Sequence, residues 1–252
     1  MKPDLVLLRD LIDSSPVIGT RPDRGCPEAD IRRAESVVGP LPASYRWWLA
    51  HYGEGTVHGE ALATVVPPRH AGAVGDLTGL RAGNRLGFHD DGDCDDSYHF
   101  ALDEREDEEC PVVRWDCFTG GEERFADSFA GFLTARVALA SGLGNGPNPT
   151  IARLWRSTPG VLRPDGVHVY GPHTFVERDR TYRVRALAPH WVLIGDDGGG
   201  RGLFMRRHGR DRTSVYRLDF RAVDGDIEDS GGERVTGDLL AWLLAGTDGR
   251  RS

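Results

Sequence analysis

The sequence predicts an α+β fold built twice, and three observations carry this. The length of 252 residues suits two domains of roughly 100 to 150 residues each better than one. A weak internal repeat runs through the chain. The first half reads "RLGFHDDGDCDDSYHFALD", "CPVVRWDCF" and "SFAGFLTARVALA", and the second reads "WVLIGDDGGGRGLFMRR", "TSVYRLDF" and "GDLLAWLLAG". Each half runs through an apolar run, an Asp-Asp-Gly turn, a second apolar run, a polar loop, a short β-branched and aromatic strand and a closing amphipathic helix. The two turns, at Asp90 and Asp196, lie 106 residues apart. Between the copies, "SGLGNGPNPT" (Ser141 to Thr150) concentrates residues that break helix and strand. It reads as a linker, giving domains at 1–145 and 146–252.

Taken in order, "MKPDLVLLRDLIDSS" holds only a short apolar run interrupted by Asp4, Arg9 and Asp10. No apolar segment approaches the roughly 20 residues that span a bilayer, so neither a standard export signal nor a membrane span is predicted. Two helices follow. Ile31, Ala34, Val37 and Val38 recur at helical spacing, Gly39 and Pro40 stop that helix, and Pro42 can open a second. Tyr45, Trp48, Leu49 and Tyr52 fall on one face of the second helix, with Trp47 on another, and Gly53 ends it. The second half opens with a short helical segment at Ile151, then Pro and Gly turns, then a β-type run from Val167 to Tyr170. Any matching helical hairpin there is abbreviated.

Cys26, Cys94, Cys110 and Cys117 form no CxxC pair and have no histidines at metal spacing, so neither a zinc site nor a disulfide framework is predicted. Free thiols fit a cytoplasmic location. The net charge of −8 is uneven. Residues 1–149 carry 14 Lys and Arg against 25 Asp and Glu, and residues 150–252 carry 17 against 14. An acidic first half disfavours nucleic acid as a direct partner and favours a basic one.

The stretch "AESVVGPLPASYRWWLAHYGEG" resembles the N-terminal signature of the SUKH superfamily, through Glu35, Gly39, Leu41, Pro42, Tyr45 and Gly53. The resemblance continues through the Gly/Asp turn with "FALD", a strand around Val112 to Trp115, and "FADSFAGFLTA" with Ser128, Phe129 and Phe132, covering most of residues 25–140. The second half is similar to another branch of that superfamily through Glu177, Arg178, the turn from Ile194 to Gly200 and Trp242, but lacks the Leu-Pro pair. The resemblance implies tandem domains, each a mainly antiparallel sheet with helices packed on one side. It also implies a non-catalytic role. Bacterial members are often immunity proteins that bind toxin domains, many of them nucleases, and eukaryotic relatives regulate cell-wall assembly through protein contacts.

The chemical candidates are weak. "GGGRG" superficially resembles a phosphate cradle, but Leu203, Phe204 and Met205 follow with no helix start. A turn between antiparallel strands fits better, with Gly198, Gly199 and Gly200 supplying positive φ and Asp196 and Asp197 facing water or bonding to the turn. From Asp90 to Glu109 there are eleven acids, with Arg105 the only Lys or Arg. A calcium loop starting at Asp91 fails, because Asp96 and Leu102 stand where Gly and Glu belong. Two readings of the run remain open: a solvated acidic loop, or a contact surface for a basic toxin. In the latter, Asp90, Asp91, Asp93, Asp95, Asp96, Glu104, Asp107 and Glu108 supply charge and Trp47 an aromatic anchor. No nucleophile elbow is present, and His51, His58 and His70 are irregularly spaced. No cofactor, metal or catalytic residue is predicted. A regulatory adaptor, or a small hydrolase using acids of the Asp90-to-Asp96 segment, are the alternatives. The oligomeric state is not encoded in any pattern found.

Overall fold

The structure, a computed structural model, describes residues 1–21, 24–66, 81–92 and 95–247; Asp93, Cys94 and His70 lie outside these. Backbone contacts divide the chain into two compact units, Ser15–Arg136 and Pro3–Ser14 together with the chain from Val137. Both combine helices with antiparallel sheets. The first helix, α1 (Leu5–Ser14), belongs to the second unit.

The first unit comprises β1 (Ile18–Thr20), α2 (Glu28–Val38), α3 (Ala43–His51), β2 (Gly55–Val57), β3 (Glu60–Leu62), β4 (Arg81–Ala82), β5 (Arg85–Asp91), β6 (Asp96–Ala101), β7 (Val112–Trp115), β8 (Glu122–Ala126) and the start of α4 (Phe129–Ala140). The strands run β1-β2-β3-β5-β6-β7-β8, with β4 pairing on β5, and neighbours are antiparallel. In α2, Ile31, Ala34 and Val38 are buried, whereas Val37, also counted in the apolar stripe, is 51% exposed. Glu28 and Asp30 sit in its first turn, where the helix dipole favours acids. Tyr45, Trp48 and Leu49 of α3, and Tyr52 just beyond it, are buried as their spacing predicts. Tyr45 sits among the rings of Phe100 and Phe129, with centroids 5.0 and 5.1 Å away, while Phe88 stacks on Phe100 at 4.2 Å. Each such pair adds about 0.5–1.5 kcal/mol beyond its burial. The Tyr45 hydroxyl donates to the Ala63 carbonyl at 2.8 Å, which meets the requirement of a buried phenol.

The second unit adds α5 (Pro149–Trp155), β9 (Val161–Leu162), β10 (His168–Val169), α6 (Pro172–Tyr182), α7 (Val184–Leu187), β11 (Trp191–Asp196), β12 (Arg201–Arg206), β13 (Val215–Asp219), β14 (Glu233–Thr236) and α8 (Leu239–Thr247). Its strands follow chain order, β9 to β14, all antiparallel. Asn148 caps α5 by accepting from Ile151 N at 2.9 Å, with Pro149 at the first helical position. Pro149 and Thr150 of the expected linker therefore already belong to a helix. Asp4 caps α1, accepting from Val6 N and Leu7 N at 3.0 and 3.2 Å, and its own N–H donates to Thr158 Oγ1 at 3.3 Å. Leu8, Leu11 and Ile12 form the buried stripe of α1. The contact division thus differs from a cut after residue 145 at both ends: α1 returns to the second unit, and α4 crosses the boundary at Val137. Trp155, Trp191, Phe204 and Tyr170 are the largest side chains of this unit's core.

Two irregularities recur at matching places. Between β5 and β6 the register shifts at Phe88, and between β11 and β12 it shifts at Ile194, 106 residues later. Between β7 and β8 Phe125 is the extra residue, and between β13 and β14 it is Val235. Each is a bulge, two residues facing one.

Candidate protein-interaction surface

The acidic run does not form one patch. It is cut by β6, whose six residues span about 20 Å at ~3.3 Å per residue. The turn from β5 lies at one end of β6 and the loop to β7 at the other.

At the turn, the acids divide into two kinds. Asp91 is buried and pairs with Arg136 at 2.8 Å; Arg136 also donates to the Tyr98 hydroxyl at 3.3 Å. Asp96 is buried and pairs with Arg114 at 3.2 Å, and Arg114 reaches Glu123 at 2.9 Å. Asp91 and Asp96 are therefore neutralised inside the fold and are not the free surface charges read from the sequence, because strand geometry turns them inward onto arginines. Asp90 and Asp95 are exposed, and Asp95 has φ 54°. Asp93 lies outside the described residues.

At the loop, Glu104, Asp107 and Glu108 are exposed. Asp107 and Glu108 occupy the centre of a turn closed by reciprocal Glu106 and Glu109 backbone bonds of 2.9 Å, with φ 47° and 69°. Positive φ at both central positions is the type I′ pattern. The loop also has a structural task. Glu109, buried, accepts from Ser44 N at 2.8 Å and Ser44 Oγ at 2.9 Å, and Ser44 Oγ accepts from Ala130 N at 3.3 Å. One carboxylate thus caps α3 and, through Ser44, ties in the start of α4. Burial pushes the Glu109 carboxyl above its ordinary range, against the opposing pull of the two Ser44 bonds.

The aromatic anchor moves as well. Trp47 is half-buried, stacked on His51 at 4.5 Å and edge-on to Tyr52 at 5.9 Å, so it serves the α3 surface before any partner. The exposed rings are Trp115 and Phe118, 46% and 84% accessible, at the β7–β8 connection. Neither stands out in the sequence as a contact residue, although "RWDCFTGG" places two aromatics beside a Gly-Gly turn.

The motif residues have local causes. Glu35 Oε1 accepts from Leu41 N at 3.2 Å and faces Arg46 at 3.4 Å, stapling the α2–α3 turn. Gly39 ends α2 at φ 90°, and Leu41 and Pro42 are buried before α3. Gly53 has φ 72°, and a Cβ there would lie 2.1 Å from the Arg24 carbonyl oxygen, so only glycine fits. In the second unit Asp196 accepts from Gly198 N and Asp197 from Gly199 N, both at 2.9 Å, and Asp196 also accepts from the Tyr170 hydroxyl. Gly198 and Gly200 have positive φ, and Gly199 lies against the Asp197 carboxylate. The β11–β12 connection is a hydrogen-bonded turn between antiparallel strands.

Among the described residues no group of three or more His, Cys, Asp or Glu is placed to hold a metal ion. No helix among them is long and apolar enough to cross a membrane. A family model, SUKH_5, described as SMI1-KNR4 cell-wall, matches residues 10–138, just over half of the chain. It covers α2, α3, the first sheet and nearly all of α4. With that match laid over the Glu35 staple, the Gly53 close approach and the antiparallel sheet, the chain belongs to the SUKH, or SMI1-KNR4, family.

Proposed function

We propose that this protein is a non-catalytic immunity protein of the cytoplasm, binding a bacterial toxin domain and covering its basic active site, with a nuclease as the fitting toxin class. Family membership over the acid-rich first unit is the observation that carries this reading. Carboxylates held on a rigid sheet can occupy places that a nuclease keeps for phosphates, and they steer association through complementary charge. The hydrolase alternative loses support, because Asp91 and Asp96 are committed to Arg136 and Arg114.

The reading takes residues 1–145 and 146–252 as tandem copies, the second a divergent SUKH-like domain. The shared antiparallel order and the paired bulges at Phe88 and Ile194, and at Phe125 and Val235, support a duplication.

The test is co-expression with the toxin domains encoded beside the gene, scored by growth. Rescue by the intact chain supports immunity. Stable binding of a partner without rescue points to a regulatory adaptor, the other role within the family, and neither binding nor rescue overturns the proposal.

A further inference from the structure

We infer that the β7–β8 tip and the adjoining open face of the first sheet form the docking surface for the partner, which is a basic protein surface with an apolar recess that receives Phe118. The inference rests on the protein-binding reading above and names the surface that performs it.

Register places Asp90, Ser97, Trp115 and Glu122 on one ladder row, so their side chains emerge on the same face of the sheet. The β5–β6 turn and the β7–β8 loop lie at the same end of the meander, which brings Asp95 close to the loop. Phe118 is not carried on a slack loop. Asp116 Oδ1 accepts from Phe118 N and Thr119 N at 2.9 and 3.0 Å, while Asp116 N donates to Gly121 O and Gly120 N to Asp116 O, at 3.0 and 2.9 Å. The backbone that carries the ring is thus preorganised, which lowers the ordering cost of binding.

Two exposed aromatics on a fixed tip, rimmed by carboxylates, have the composition of an interface centre with a charged edge. The side chains of Asp90 and Asp95 are exposed, so their charge is available to a partner. The charge selects the occupant. Nucleic acid and anionic membrane surfaces are repelled, and a two-fold contact with a second copy would set the same carboxylates against each other. A basic protein surface is the complementary one.

The assay takes the toxin domain that the intact chain neutralises and measures its binding to the wild type, F118A, the triple variant D90N/D95N/D116N and the control V37A. Phe118 is too exposed for its loss to unfold the chain, and the amide introduced by D116N keeps the oxygen that closes the loop. F118A should weaken binding roughly 10- to 100-fold, mainly through faster dissociation. The triple variant should slow association and flatten its salt dependence, with V37A unchanged. Binding of both F118A and the triple variant within about twofold of wild type overturns the surface and leaves immunity standing. If the intact chain neutralises no toxin, immunity falls instead, and a photo-reactive phenylalanine analogue at position 118, compared with one at position 37, decides the surface. An adduct to a basic protein that binds the purified chain, and loses about tenfold in affinity with F118A, supports it. No adduct above the position-37 control, an adduct to a second copy, or one to an acidic protein overturns it.

Discussion

Replacing Glu109 by alanine should destabilise the first unit far more than its place in an acidic loop suggests. The substitution removes the acceptor of both Ser44 N–H and Ser44 O–H, and Ser44 is fully buried, so two donors lose their partner away from water. A hydrogen bond to a charged group contributes about 1.5–3 kcal/mol. Against this, alanine relieves the desolvation that raises the Glu109 pKa. The net loss should be about 2–4 kcal/mol, within the range expected when a buried polar network is broken. For a unit of this size that lowers Tm by about 4 °C per kcal/mol. Thermal unfolding by circular dichroism would show it, and hydrogen exchange should find the Ser44 and Ala130 amides opening earlier, because Ser44 Oγ also accepts from Ala130. E109Q keeps one acceptor and the volume, and should lose less. An E109A variant within about 0.5 kcal/mol of wild type would refute the capping argument.

Three further outcomes follow from the same structure. Burial holds His89, His99 and His168 below the ordinary imidazole range. Below pH about 6.5 the unfolded chain therefore binds protons that the folded chain does not, so this stabilisation is full above that pH and is lost as pH falls through the window. Glu109, pushed up, acts in the opposite sense, its contribution declining as pH rises above about 4.5. Urea midpoints at about pH 7.5, 6.5 and 5.5 should fall in that order, with H89Q flattening the trend, and a flat wild-type profile refutes the assignment. D91N and R136M should each cost about 3–5 kcal/mol in chemical denaturation, because each strands a largely buried partner, while the double variant recovers much of the loss; additive costs would show that the two side chains do not interact. G53A should be clearly worse than G59A in a thermal melt, since both sites have positive φ but only Gly53 has a backbone oxygen where the Cβ would go; equal losses would remove the steric part of the argument.

Elements whose burial imposes a period were legible in the sequence. The helices α2 and α3 announced themselves by Ile31, Ala34 and Val38, by Tyr45, Trp48 and Leu49, and by the Gly and Pro residues between them. The meanders were visible as paired apolar runs around Asp-Asp-Gly. Less visible were β8 and β14, "EERFA" and "ERVT", because edge strands carry charge on positions that need no burial. The mostly polar α6 escaped although Pro172 opens it, since only Pro172 and Phe175 are fully buried. The candidate surface was the least legible part. The ten described acids of that run became two groups at opposite ends of β6, and burial removed Asp91, Asp96 and Glu109 from solvent. Partners such as Arg136 and Ser44 lie tens of residues away, where no local pattern points to them.

The bulge at Phe88 makes β5 an odd-even counter. Leu86 and Phe88 face the core, and unbroken alternation would send Asp90 after them; the extra residue advances the count by one, so Asp91 goes in and Asp90 comes out. The two adjacent aspartates are thus chemically alike but differ in fate because of a residue two positions earlier. Straightening the strand at its present length would act as a frameshift in space, offering Asp90 to Arg136 and turning Asp91 to solvent, whereas deleting Phe88 removes the unpaired residue and leaves Asp90 opposite Ser97 and Asp91 opposite Asp96. Descendants of this chain can therefore lose the bulged residue and keep Asp91 inside, whereas a lineage that straightens β5 at its present length exchanges the fates of the two acids.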